Sequence, residues 1–152
     1  LHYDRKKRKL YFLDEIYELS LSNREAAKRI QNRHKGRMLT RLPDGQVTCD
    51  NGEPKSIQEL KFFGLNTTPS KKGPDSIHFG IKFLQDLTEL VFDKRRTPNA
   101  YKEFHQYEYE VDRNGKYRST YPNKNNHAID CTRYAMENDM LNNRMLFSSI
   151  KI

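Results

Sequence analysis

Apolar residues recur along this chain in short blocks, each bounded by a turn or capping signal. Residues 10–17 (LYFLDEIY) are aromatic and aliphatic enough for a strand, and 1–3 read as the end of another. The charged stretch 4–9 between them makes the opening an antiparallel hairpin. Ser22-Asn23-Arg24-Glu25 fits the capping box S-x-x-E, which predicts a helix to about Arg33 with Ala26, Ala27 and Ile30 on its buried face. Residues 35–45 read as loop, with Pro43-Asp44-Gly45 as a turn. A short strand over 46–50 ends on Asp50 and is broken by Asn51-Gly52. Glu53-Pro54 then opens a helix lined by Ile57, Leu60 and Phe63, which Gly64 ends. Further on come a strand over 65–69, a helix over 74–87 with Ile77, Ile81 and Leu84 on one face, a strand over 89–92 and a helix over 99–106. Asp112-Arg113-Asn114-Gly115 makes a hairpin turn between 107–111 and 116–120. The order predicts an α/β fold whose sheet starts antiparallel and continues parallel.

The stretch 121–136, YPNKNNHAIDCTRYAM, holds the densest chemistry. His127 and Asp130 are three residues apart at the start of a predicted helix, so they share a face. An imidazole beside a carboxylate can grip a divalent metal or position a water. A capped, solvated helix start fits the same two residues. Asp50 closes a predicted parallel strand, and ligands of open α/β sheets bind at the carboxyl ends of strands. If the last helix packs beside that end, Asp50 and Asp130 form an oxygen cluster suited to Mg²⁺ or Mn²⁺. A two-metal phosphodiester site calls for a third carboxylate. Asp14 and Glu15 qualify by type but lie mid-hairpin and read as structural. Asp50 before Asn-Gly also fits a turn residue, and Glu53 fits a helix start. His78 and His105 read as ordinary helix residues, and Cys49 and Cys131 as small buried side chains.

Composition narrows the class. The 152 residues suit one domain, read here as 1–140 followed by a tail over 141–152. The net charge of +8 and the mean hydropathy of -1.01 describe a basic, very polar surface. With 11% aromatic residues, this suits a polyanionic partner, nucleic acid first, although a soluble basic protein has the same numbers. The basic run 5–9 fits a solvated hairpin tip or a DNA backbone contact. The two cysteines show no C-x-x-C spacing, so a reducing compartment is the default. No apolar run reaches membrane-spanning length, no signal-peptide core is seen, and no G-x-x-x-x-G-K-[ST] phosphate loop occurs.

Several motifs together resemble the nuclease domain of tailed-phage terminase large subunits. YPNKNNHAIDCTRYAM is similar to that family's closing N-H-A-I-D-A-x-R-Y-A motif. VTCDNGEPKSIQELKFFG resembles its second acidic motif, in which a strand ends in Asp before an E-P-K-S-I helix. SKKGPDSIHFGIKFLQD resembles the next helix, and LYFLDEIYELSLSNREAAKRI the early strand and helix. The resemblance implies an RNase H-like mixed sheet flanked by helices. It implies a metal-dependent endonuclease that cuts concatemeric double-stranded phage DNA as it is packaged into proheads in the host cytoplasm. By position, Asp50 is the second acidic ligand, Asp130 the last, and His127 the histidine near two Mg²⁺ or Mn²⁺ ions. Lys71 and Lys72 fall in a loop that would hold DNA phosphates. The implied partners are double-stranded DNA, an ATPase domain of the same polypeptide, the terminase small subunit and the portal protein, with no membrane. The family's first catalytic Asp lies on a first strand that nothing here matches, so that strand and its Asp are expected upstream of Leu1. Cys49, Asn51 and Cys131 depart from the commoner residues beside the acidic positions. Another RNase H-like nuclease, such as a resolvase or transposase core, and a non-catalytic DNA- or portal-docking module are the alternative readings.

Overall fold

The computed structural model describes residues 1–33, 46–71, 73–109, 112–116, 121–122 and 124–141. They fall into two compact units, one of Leu1–Tyr17 with Phe83–Arg133, the other of Glu18–Lys82 with Tyr134–Ile152.

The first unit is built on a three-stranded sheet. Strand β1 (His2–Asp4) pairs antiparallel with β2 (Lys9–Phe12), which completes the expected hairpin. Its turn is closed at Arg8, which takes a left-handed φ of 52° and whose carbonyl accepts the Thr88 amide at 2.9 Å. The other edge of β2 pairs parallel with β5 (Glu89–Phe92), in the register Lys9↔Glu89 to Phe12↔Phe92. Two features of the sequence secure that register. Lys9 forms an ion pair with Glu89 at one end of the ladder. At the other end, Phe12 stacks on Phe92 with ring centroids 4.1 Å apart. Alternation along β2 sends Leu10 and Phe12 inward. Helix α4 (Pro98–Gln106) packs there, and its Phe104 meets the rings of both Phe12 and Phe92.

Strand β2 ends at Phe12, although apolar residues continue to Tyr17. The reason is the use made of the next two carboxylates. Asp14 pairs with Arg96 at 3.0 Å. Glu15 accepts the backbone amides of Asn99 and Ala100 at 2.9 and 2.8 Å and so caps the start of α4. Helix α4 begins with Pro98, which has no amide to satisfy.

The second unit holds a two-stranded parallel sheet of β3 (Val47–Cys49) and β4 (Thr67–Pro69). Helix α1 (Asn23–Arg33) starts at half of the expected capping box. Ser22 Oγ accepts the Glu25 amide at 3.2 Å, while the Glu25 carboxylate turns to Arg29. Helix α2 (Pro54–Phe62) stops at Gly64, whose φ of +88° explains the glycine. Gln31 on α1 donates to the Phe63 carbonyl at 2.7 Å, tying α1 to that stop. Ala27, Ile57, Leu65 and Thr67 are buried here, and Thr67 Oγ1 donates to the Ile57 carbonyl at 3.2 Å.

Helix α3 (Ser76–Gln85) buries Ile81, Phe83 and Leu84. Ile77, expected on the same face, is half exposed. Helix α5 (His127–Ala135) starts at the residue expected. The α/β class expected from the sequence is therefore present, but the described strands form two sheets, and the hairpin extends to β5. Of the expected 112–115 turn, the Asp112 amide donates to the Lys116 carbonyl at 2.8 Å. Parts of its flanking strands, the expected 35–45 loop and the tail beyond Leu141 lie outside the described residues.

Leu10 is wholly buried in the aromatic-lined core of the first unit. Leu10→Ala is expected to lower the unfolding free energy by about 2–5 kcal/mol, as read by urea denaturation.

Candidate functional site

The turn that carries His127 and Asp130 is built by three hydrogen bonds. The Asp130 amide donates to the Asn126 carbonyl at 2.8 Å, which closes the first turn of α5. Thr132 Oγ1 donates to the Ala128 carbonyl at 2.7 Å. The Ala128 amide, one of the helix donors that lack an intrahelical acceptor, donates to Glu103 Oε2 at 2.6 Å. Ile129 and Thr132 face inward, as the spacing predicts. Cys131 is exposed rather than buried, because it lies on the opposite side of the helix from Ile129.

Glu103 is a residue of the site that the sequence did not reveal. It is buried on α4, and its other oxygen accepts the Tyr17 hydroxyl at 2.8 Å. One carboxylate therefore joins the segment after β2, the middle of α4 and the start of α5. The hydrogen bond to Glu103 is the main cause that holds the Tyr17 phenol above its ordinary pKa; burial and the Glu103 charge act in the same direction. Tyr17 also meets the His127 ring edge to face, with centroids 6.4 Å apart.

Asp130 is held from both sides. Arg133, one turn on and almost wholly buried, donates to Asp130 Oδ1 through Nε at 3.2 Å and Nη2 at 2.7 Å. Asn126 Nδ2 donates to Oδ2 at 3.2 Å. The carboxylate keeps about a third of its surface open, with a side-chain exposure of 32%. It is thus oriented by fixed donors and still accessible. Its charge adds to burial, the larger cause, in raising the pKa of the nearby Tyr107 phenol. Arg133 stands in the R-Y-A part of the closing motif, whose pattern alone did not reveal that it fixes Asp130.

The other predicted residues lie as follows. Asp50 directly follows β3 in the second unit and is exposed. Its Oδ1 accepts the Gly52 amide at 3.0 Å, so it forms the Asx turn that Asn-Gly suggested while presenting a carboxylate at the strand end. Glu53 stands at the start of α2 and accepts Ser56 Oγ at 2.9 Å. Lys71 is exposed, and its amide is held by both oxygens of Glu137 at 2.9 Å. Lys72 lies outside the described residues. Asp14 and Glu15 lie after β2 rather than mid-hairpin as expected, and both make the structural contacts with residues 96, 99 and 100 described above. Cys49 is partly buried, and burial pushes its thiol up in pKa.

The donors Asp50 and Asp130 are hard carboxylate oxygens, of the type that suits Mg²⁺ or Mn²⁺. Among the described residues no three His, Cys, Asp or Glu side chains gather into a group that could hold a metal ion. No described helix is long and apolar enough to cross a membrane.

A family model described as a terminase RNase H-like domain matches residues 2–138. The chain is 36% identical over 141 residues to the large subunit of the terminase of Bacillus phage SPP1, covering 91% of this chain and 32% of that protein. It therefore spans about a third of that relative's length. The crystal structure of the large terminase nuclease domain of bacteriophage SPP1 with bound Mn is similar at a TM-score of 0.77 and 34% identity, over 91% of this chain and 75% of that one.

Glu103→Ala leaves the Tyr17 hydroxyl and the Ala128 amide without their acceptor. Tyr17 is 47% exposed and its hydroxyl can turn to water, so the expected loss of stability is about 1–3 kcal/mol, chiefly from the Ala128 amide, measured by chemical denaturation. Tyr17→Phe should lose less, since it removes a donor and leaves the Ala128 hydrogen bond in place.

Proposed function

This chain belongs to the terminase RNase H-like domain family, and we propose that it is the nuclease part of a phage terminase large subunit, cutting concatemeric double-stranded DNA as the genome is packaged into proheads. The observation that supports this reading most is the likeness of its fold, at 34% identity, to a terminase nuclease domain that binds Mn. The reaction proposed is metal-dependent hydrolysis of a phosphodiester.

Asp50 and Asp130 are the proposed ligands of a pair of Mg²⁺ or Mn²⁺ ions. Once bound, such ions supply an activated water and neutralise charge on the leaving oxygen. The chain's own groups do the rest. Arg133 and Asn126 hold the Asp130 carboxylate in one orientation before substrate arrives, which lowers the reorganisation needed at the moment of reaction. His127, on the same turn and exposed, holds or passes a proton beside that carboxylate. Lys71 and Lys72 are the proposed contacts to the DNA backbone. The further partners proposed are an ATPase domain of the same polypeptide, the terminase small subunit and the portal protein. The proposed place of action is the host cytoplasm, at the prohead.

Nicking of supercoiled plasmid in Mn²⁺, abolished by EDTA, tests the enzyme reading against a docking module. Asp50→Asn and Asp130→Asn should each lower the cleavage rate on the order of 10²–10³-fold, the equivalent of several kcal/mol of charge stabilisation, while binding of duplex stays near wild type. Replacing Lys71 and Lys72 together with Ala should do the reverse, weakening binding and flattening its dependence on salt. If the lysine variant binds like wild type at every salt concentration, the loop does not contact DNA.

A further inference from the structure

A groove of about 490 Å³ in the first unit is lined by α4 and by the loop that leads into α5. Helix α4 contributes Lys102 and Gln106, and the loop contributes Lys124 and Asn125. Asn125 takes a left-handed φ of 49°, so this stretch of loop is held in an uncommon backbone conformation two residues before His127. We propose that this groove holds the phosphodiester backbone of the DNA substrate, with Lys102 and Lys124 each meeting a phosphate. The inference rests on the nuclease reading and extends it to a substrate-binding surface.

Two observations favour a polyanion here. Both lysines are exposed and come from separate elements, and among the described residues neither is tied to a carboxylate, unlike Lys9 and Arg29. The side-chain amides of Gln106 and Asn125 add uncharged donors of the kind that contact phosphate and sugar oxygens. Two carboxylates oppose the ligand: Glu108, exposed in the groove lining, and Glu103, whose hydrogen bonds from the Tyr17 hydroxyl and the Ala128 amide, both uncharged donors, leave its negative charge in place. The loop part of the groove lining ends at Asn125, two residues before His127.

Glu108 gives the test a second sign. Binding of a short duplex is measured in EDTA over a salt series for wild type, for Lys102→Gln with Lys124→Gln, and for Glu108→Gln, alongside Mn²⁺-dependent nicking by wild type. The double lysine variant should reduce the slope of log K against log salt by about 2, near 0.9 for each phosphate that is no longer neutralised. Glu108→Gln should bind more tightly than wild type at each salt concentration. An unchanged slope in the lysine variant, or no gain in binding from Glu108→Gln, overturns the groove assignment while wild-type nicking leaves the nuclease reading standing. Wild type that neither binds nor nicks DNA removes both.

Discussion

A single buried carboxylate, that of Glu103, makes the motif helix possible. It takes the Tyr17 hydroxyl on one oxygen and the Ala128 amide on the other. The first amides of any helix need acceptors that the helix itself does not supply. In α5 one of them is met from α4, a different element, and not by a residue of the preceding loop. The consequence is positional. Because His127 immediately precedes the amide that Glu103 holds, its backbone is fixed relative to α4. Asp130 then follows one turn later, where Arg133 and Asn126 complete its setting. Burying a carboxylate is tolerable only when its oxygens are satisfied. Glu103 meets that condition with a phenol and an amide.

The same device recurs at α4, whose start is met by Glu15 from the segment after β2. In this strongly basic chain several acids are thus committed to internal structure: Asp14 to Arg96, Glu15 and Glu103 to helix starts, Glu137 to the Lys71 amide. The formal net charge of +8 comes from composition, and these hydrogen bonds place carboxylates without removing their charge. That charge fits a protein whose proposed partner is a polyanion.

Local signals explain which parts of the fold could be read in advance. The hairpin, the strand Glu89–Phe92, the stop of α2 at Gly64 and the start of α5 at His127 each rest on residues within a few positions of one another. What escaped rests on distant partners. The end of β2 at Phe12 is decided by Asp14 and Glu15 meeting residues 96, 99 and 100. The parallel continuation of the sheet was expected, but the choice of β5 as the partner of β2 is decided by Lys9 and Phe12 meeting Glu89 and Phe92. Ile77 fits a helix face by spacing, but it lies in the first turn of α3, ahead of the part of the helix that is buried. His127, Asp130 and Asp50 were singled out through motif and spacing as proposed site residues. Glu103 was not, because a glutamate on a polar-looking helix gives no sign that its carboxylate is buried.

If Asp50 and Asp130 hold the divalent metal used in cleavage, they should hold it without DNA and without turnover. Calorimetric titration of Mn²⁺ into the protein alone tests this most directly. The expected result is saturable binding to wild type that weakens on Asp130→Asn and is lost when Asp50→Asn is added. Equal Mn²⁺ affinity in wild type and in the folded double variant would contradict it.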